Sequence, residues 1–165
     1  MKQKIKVKIL TEGCEPRNDF SGEWLDLRAA EDINMPAPYV KGNKVVIPTK
    51  YIPLGVAMRL PKGMEGNAVL RSSSNKNFHI LQSNAYGVID WTYQGNKDQW
   101  HLPVISTGEV HIKKGDRVCQ FRITPSQKAT FWQKLRWFLS NGIVLKYVTD
   151  LNSKNRGGLG HSGIK

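Results

Sequence analysis

The chain has 165 residues, with 25 Lys and Arg against 13 Asp and Glu and a formal net charge of +12. That length supports one domain with a real core and is too short for two ordinary ones. Hydrophobic and charged fractions of 39% and 23% are those of a globular protein, and the charge calls for an anionic partner or substrate without choosing among nucleic acid, acidic membrane and polyphosphate.

The basic N-terminus, Met1 to Lys6, has no apolar run behind it and does not read as a secretory signal. No stretch approaches the length needed to span a bilayer. Cys14 and Cys119 lack metal-ligand spacing, which points to a reduced, cytoplasmic chain. Cys119, in Val118-Cys119-Gln120-Phe121, reads as a small buried thiol.

Ile5, Val7 and Ile9 alternate with Lys4, Lys6 and Lys8, which predicts a half-buried first strand. Further short strands are predicted at 45–47, within 54–60, and at 68–70, 104–105, 110–112 and 118–123. Breaks rich in Gly, Pro or Asn separate them at 36–38, 41–43, 61–66 and 113–115. The stretch Gly87-Val88-Ile89-Asp90, with Tyr93 and Gly95 beyond it, reads as an apolar strand that delivers an acid and a ring into one turn. Many short strands at this spacing predict an all-β barrel or sandwich.

One segment departs from the β pattern. Over 126–141, Phe131, Trp132, Leu135, Phe138 and Leu139 share one helical face, with Ser126 as N-cap and Asn141-Gly142 as terminator. The apolar stripe predicts a helix packed on the barrel. The alternative is a docking surface anchored by Trp137, which projects from the polar face beside Gln133, Arg136 and Ser140. Residues 151–165 are polar and glycine-rich, which predicts a mobile arm outside a domain spanning 1–150.

Four patches accompany the Gly87 stretch. Gly22 to Ala30 sets Asp26 in an apolar run, and Leu70-Arg71-Ser72-Ser73-Ser74-Asn75 gathers a guanidinium and hydroxyls at a strand end. Gly115-Asp116-Arg117-Val118-Cys119-Gln120-Phe121 turns into a strand that sends Gln120 outward, and Arg156-Gly157-Gly158-Leu159-Gly160-His161 lies in the arm. Each is common alone. In this order, with Gly-Val-Ile-Asp-x-x-Tyr-x-Gly at the centre, they resemble the motifs of the homotrimeric dUTPase family from about Gly22 to Gly163.

The resemblance implies a mainly β, β-clip or jelly-roll-like distorted barrel with one short helical insert and a mobile arm. It implies hydrolysis of dUTP to dUMP and pyrophosphate by water attack on the α-phosphorus, keeping uracil out of DNA and supplying dUMP for thymidylate synthesis. Asp90 would activate the water, and Tyr93 would pack on deoxyribose and exclude a 2′-hydroxyl. Asn84 and the backbone of Gly87, Val88 and Ile89 would read uracil, rejecting cytosine because its donor meets a fixed donor. Arg71, Ser72, Ser73 and Gln120 would hold phosphate, while Asp116 would orient an arginine. Arg156, Gly157, Gly158, Leu159 and His161 would form the closing arm, and glycine there lets backbone N–H groups approach phosphate. Asp26 would hold Mg²⁺ through water, the usual way a single carboxylate shares that ion with phosphates. The implied assembly is a homotrimer whose arm crosses to a neighbour.

Five positions depart from the family pattern. Leu159 stands where an aromatic lid is usual, His161 replaces a serine, and the second motif has Leu70 in place of proline, with atypical Ser74-Asn75. A sister class on the same fold deaminates dCTP with a glutamate shortly after the hairpin glycine. Here Gly95 is followed by Asn96-Lys97-Asp98-Gln99-Trp100, without that acid. A regulatory binding protein on this fold, acting through Trp137 and Arg136, is a second alternative. Nucleic-acid binding has only the net charge behind it, which steering of an anionic substrate explains equally.

Overall fold

A computed structural model describes residues 2–17 and 22–157. In chain order its strands begin β1 (Gln3–Ile9), β2 (Leu25–Arg28), β3 (Ile33–Met35), β4 (Tyr39–Lys41), β5 (Lys44–Val46), β6 (Thr49–Pro53) and β7 (Val56–Arg59). β8 (Met64–Leu70) leads into a short helix, α1 (Ser74–Phe78), and then β9 (Ile80–Gln82) and β10 (Gly87–Asp90). β11 (His101–Ser106), β12 (Val110–Ile112), β13 (Arg117–Pro125), helix α2 (Phe131–Phe138) and β14 (Ile143–Tyr147) follow.

The strands fall into separate small sheets, so the architecture is a distorted jelly roll and not a closed barrel among the described residues. β1 lies between β7, its antiparallel partner, and β14, its parallel one. Its alternation holds: Gln3, Ile5 and Val7 are buried, and the intervening lysines are exposed or half-buried. A second sheet orders β6-β11-β9, and two-stranded ribbons join β12 to β3 and β4 to β5. The sheet that matters most for function runs β10-β8-β13-β2, with β10 on its edge.

Between the sheets lies one apolar core, to which Ile5, Leu27, Ile52, Leu54, Met58, Ile80, Leu102 and Ile112 contribute almost no exposed surface. Trp100 and Phe121 meet edge to face there, ring centroids 5.3 Å apart, a preferred aromatic geometry. Gly66 of β8 faces this pair, and a Cβ there would come within 2.7 Å of the Trp100 ring. Cys119 is fully buried, as its setting predicts; burial, with the charge of Asp26 adding to it, pushes its thiol far up and keeps it protonated.

Helix α2 differs from expectation in its cap and in the face it buries. Thr130, not Ser126, is the N-cap, and it exchanges hydrogen bonds with Gln133 as a capping box. The apolar stripe points away from the body: Phe131, Trp132, Phe138 and Leu139 are all at least 67% exposed. Trp137, expected outside, packs half-buried against the core, and Gln133 donates to the Lys62 carbonyl. The helix therefore docks through its more polar side.

Candidate active site

Asp26 enters on β2 in register with Gln120 of β13, which in turn faces Val69 of β8. Its carboxylate is buried, with only 6% exposed, and is satisfied by two guanidiniums: Arg71 Nε at 2.9 Å on one oxygen and Arg117 Nη1 at 3.4 Å on the other. A buried carboxylate needs such partners. Arg71 starts the turn after β8. Ser72 beside it is exposed, and Ser73 is the N-cap residue of α1 without a side-chain cap bond. The atypical Ser74 and Asn75 serve the framework. Ser74 Oγ donates to the Val118 carbonyl at 2.9 Å, and Asn75 Nδ2 reaches the Ile80 carbonyl and Thr107.

Asp116 closes a turn, with Oδ2 accepting from the Lys113 amide at 2.8 Å. Asp26 is a carboxylate that holds two arginines, Arg71 and Arg117. Arg117 was not singled out as a site residue, because nothing in sequence marks it as partner to an acid on a distant strand.

The second cluster grows from β10. Asp90 ends that strand, exposed, with Oδ1 accepting from the Thr92 amide at 2.7 Å. Its carbonyl accepts from the Tyr93 amide, which closes the turn. Partial burial works against ionisation of Asp90, but hydrogen bonds from Thr92 and the charges of Arg156 and Lys128 outweigh it. The carboxyl consequently lies below the usual aspartate range. Tyr93 is half-buried, its hydroxyl donating to the Gln99 carbonyl at 2.8 Å, and burial together with the Asp98 charge pushes its phenol up. As an edge strand, β10 leaves alternate main-chain groups of Gly87, Val88 and Ile89 turned away from β8.

Asp98 is the organising residue that sequence reading missed. It is 2% exposed, and Oδ2 accepts from the Gly95 amide at 2.7 Å and the Arg156 amide at 2.9 Å, while Oδ1 lies 3.3 Å from the Gly157 amide. Asn155 adds a bond to the Lys97 amide, and Asn96 binds Asp150 and the Leu151 amide. Gly95 is required here, since a Cβ would overlap Asn155. The root of the arm, 150–157, is thus fastened to the loop that follows the Asp90 turn, with Arg156 beside Asp90. Gly158, Leu159 and His161 lie outside the described residues.

One chain does not bring the two clusters together. Along β8, Val69 faces Gln120 and hence Asp26, whereas Glu65 faces Asp90. At about 3.3 Å per residue and 4.8 Å per strand, the backbones of Asp26 and Asp90 are offset by roughly 13 Å along the strands and about 14 Å across them. A base must lie within hydrogen-bond reach of its water, and a guanidinium at contact distance from its phosphate. The base and the guanidinium cluster thus lie toward opposite ends of the sheet within one chain.

Solved structures place the fold. A dUTPase from Streptococcus mutans superposes with a TM-score of 0.63 at 21% identity, covering 76% of this chain and 98% of that one. The dUTPase of phage phi11 of S. aureus, described as coordinating a structural Mg(II) ion, superposes at 0.61 with 17% identity over 77% and 94% of the two chains. This is the dUTPase fold. The family model described as dUTPase matches residues 22–136. The SPbeta prophage-derived deoxyuridine 5′-triphosphate nucleotidohydrolase of Bacillus subtilis is 41% identical, over 98% of this chain and 99% of its own length. A deoxyuridine 5′-triphosphate nucleotidohydrolase of Escherichia phage T5 is 30% identical over 98% and 99%. The chain belongs to the dUTPase family.

Proposed function

We propose that this protein hydrolyses dUTP to dUMP and pyrophosphate, removing a precursor of uracil in DNA and supplying dUMP for thymidylate synthesis. The observation that carries the reading is Asp90, held as a carboxylate at the end of an edge strand with Tyr93 and Arg156 beside it. Asp90 takes the proton of a water that attacks the α-phosphorus, and the α–β bridging oxygen leaves with pyrophosphate. The Tyr93 ring, fixed by its bond to Gln99, packs under deoxyribose where a 2′-hydroxyl would clash. Asn84 and the free main-chain edge of Gly87, Val88 and Ile89 read uracil. Arg71, Ser72, Ser73 and Gln120 hold the phosphates, with Arg117 added to that set. Arg156 and Gly157 bring the arm over them, and Gly158, Leu159 and His161 continue it.

Two separated clusters support an assembly in which one copy's Asp90 end faces another copy's Asp26–Arg71 end, with the homotrimer as the proposed form. The exposed apolar residues Tyr39, Val40, Val45 and Ile47 on β4, β5 and the link to β6 offer surface for such contacts.

Asp26 fits Mg²⁺ only through water. Both of its oxygens already accept from guanidiniums, which leaves lone pairs for water but disfavours a bare cation alongside Arg71 and Arg117. When bound, Mg²⁺ neutralises triphosphate charge and orients the chain for in-line displacement. Asp26 would hold such an ion through water, and Arg71 would meet phosphate.

Pyrophosphate release measured in parallel with dUTP, dCTP, UTP and dTTP in the presence of Mg²⁺ tests the reading. Turnover of dUTP alone is the expected result, and no release from dUTP would overturn it. The open face of α2 supports a second activity that can coexist with the first, binding of an acidic amphipathic partner protein. Phe131, Trp132 and Leu139 lie open beside a groove of about 290 Å³ lined by Gln3, Trp132, Leu135, Arg136 and Leu139. Arg136 lines it, and the segment 126–141 carries Lys128, Lys134 and Arg136 with no Asp or Glu. An acidic helical peptide should bind with micromolar or better affinity and lose that binding in Trp132→Ser; no binding would remove the second reading.

A further inference from the structure

Gln82 ends β9 half-buried, and its side-chain amide is engaged at both ends. Its Oε1 accepts from the Leu70 amide at 3.2 Å, while Nε2 donates to the Ala68 carbonyl at 3.1 Å and to Asn84 Oδ1 at 2.9 Å. β10 pairs with β8 only as far as Ala68, so the Gln82 amide occupies the place a partner peptide would take at the end of the ladder. Gly87 clears the space, because a Cβ there would lie 2.9 Å from the Ala68 carbonyl and 3.2 Å from Gln82 Nε2.

The consequence is a fixed polarity. Rotating the Gln82 amide by half a turn would set its NH₂ against the Leu70 N–H and its oxygen against the Ala68 carbonyl, two repulsive contacts in place of two hydrogen bonds. Backbone groups therefore decide which end of Gln82 faces Asn84, and Gln82 decides which end of Asn84 faces outward. Asn84 must turn Oδ1 inward and present Nδ2, a donor. Among the described residues no acceptor engages that Nδ2.

We propose that Gln82 is a specificity-determining positioning residue: it locks the Asn84 amide so that the base site offers a donor, which suits the carbonyl oxygen of uracil and opposes the amino group of cytosine. The inference rests on the reading of Asn84 as a base contact. A freely rotating asparagine would meet either base with the appropriate end. A locked one leaves a donor facing the N4 amino group of cytosine, and a site with an unmatched polar group rejects the wrong ligand strongly. The orientation is set by main-chain atoms of β8, so it is in place before any nucleotide arrives.

The test compares dissociation constants of dUMP and dCMP by calorimetry, together with kcat/KM for dUTP and dCTP. Gln82→Glu keeps the acceptor for Leu70 but replaces the donor, so Asn84 turns its NH₂ inward and its oxygen out. The dUMP-to-dCMP preference is expected to fall about 10- to 100-fold, approaching that of Asn84→Asp, which shows only acceptors. Gln82→Met removes the lock without reversing it and should give a smaller, several-fold fall, and it carries the test if the Glu variant does not fold. Wild-type preference in both folded Gln82 variants would overturn the lock, provided Asn84→Asp and Asn84→Ala do lose it. Equal weakening of both nucleotides would also overturn it, by showing a structural role alone. If Asn84→Ala keeps full preference, the reading of Asn84 itself fails, which the Gln82 variants cannot mimic.

Discussion

The two ends of the sheet β10-β8-β13-β2 solve opposite problems. At the β2 end, Asp26 is buried and its charge is fully answered by Arg71 and Arg117, so that this part of the site is also part of the framework. At the β10 end, Asp90 is exposed and, among the described residues, accepts from the Thr92 amide of its own turn, so that the carboxylate is available while the framework is supplied by Tyr93 and Asp98. One end trades accessibility for stability, and the other does the reverse. Under the proposed function, a site that uses both draws on different copies.

Mixing variants gives the largest effect and the most direct way to break this division. Asp90→Asn should lower kcat by about 10²–10⁴ with a change in stability within about 0.5 kcal/mol, as at other exposed positions. Arg71→Ala should also inactivate. Co-refolded in equal amounts, the two inactive proteins should regain activity in about a quarter of their sites, because some sites then pair an intact Asp90 with an intact Arg71 from another copy. No recovery would mean that each chain completes its own site.

Asp26→Ala sharpens the comparison from the other end. Removing a buried partner leaves two guanidiniums without their carboxylate, and the expected loss is about 3 kcal/mol, read from a lower urea midpoint at unchanged m-value. A smaller effect follows at Asp98. Asp98→Asn keeps the size but weakens acceptance from the Arg156 and Gly157 amides, so KM for dUTP should rise about tenfold with faster hydrogen exchange at those two amides. Unchanged exchange would show that the arm is held by Asn155 and Asn96 alone.

Much of the β architecture was legible because alternation reports directly on burial: β1 and β13 appear where the pattern places them, and Gly87 to Asp90 is a strand. Short elements such as β4, β9 and α1 escaped, since three to five residues carry too little pattern. The ordered motifs singled out Asp26, Arg71, Asn84, Asp90, Tyr93 and Gln120 as candidates but could not say that Asp26 and Asp90 lie on opposite edge strands of one sheet. Asp98 was invisible for a different reason: its partners are backbone amides, which every residue but proline offers. Helix α2 shows the remaining gap. An amphipathic stripe says which side is apolar and not whether that side is covered, and here the body covers Trp137 while the stripe stays open.

The smallest predicted effect concerns the charge that links the arm to Asp90. The folded-state pKa of Asp90 is depressed, so it stays ionised as pH falls, until the pH drops through that lowered value. The acid limb of kcat/KM should therefore lie below the ordinary aspartate range near about 3.9, and the small stability that Asp90 contributes above that value is lost over the same window. Arg156 is one of the groups holding the pKa down, placed there by its amide bond to Asp98. Arg156→Gln should move the Asp90 titration upward, followed by the carboxyl carbon chemical shift in the free protein, and Asp98→Asn should move it in the same direction by a smaller amount. If the arm root were placed independently of Asp98, Arg156→Gln would shift the titration and Asp98→Asn would not. That pair of measurements separates the charge itself from the carboxylate that positions it.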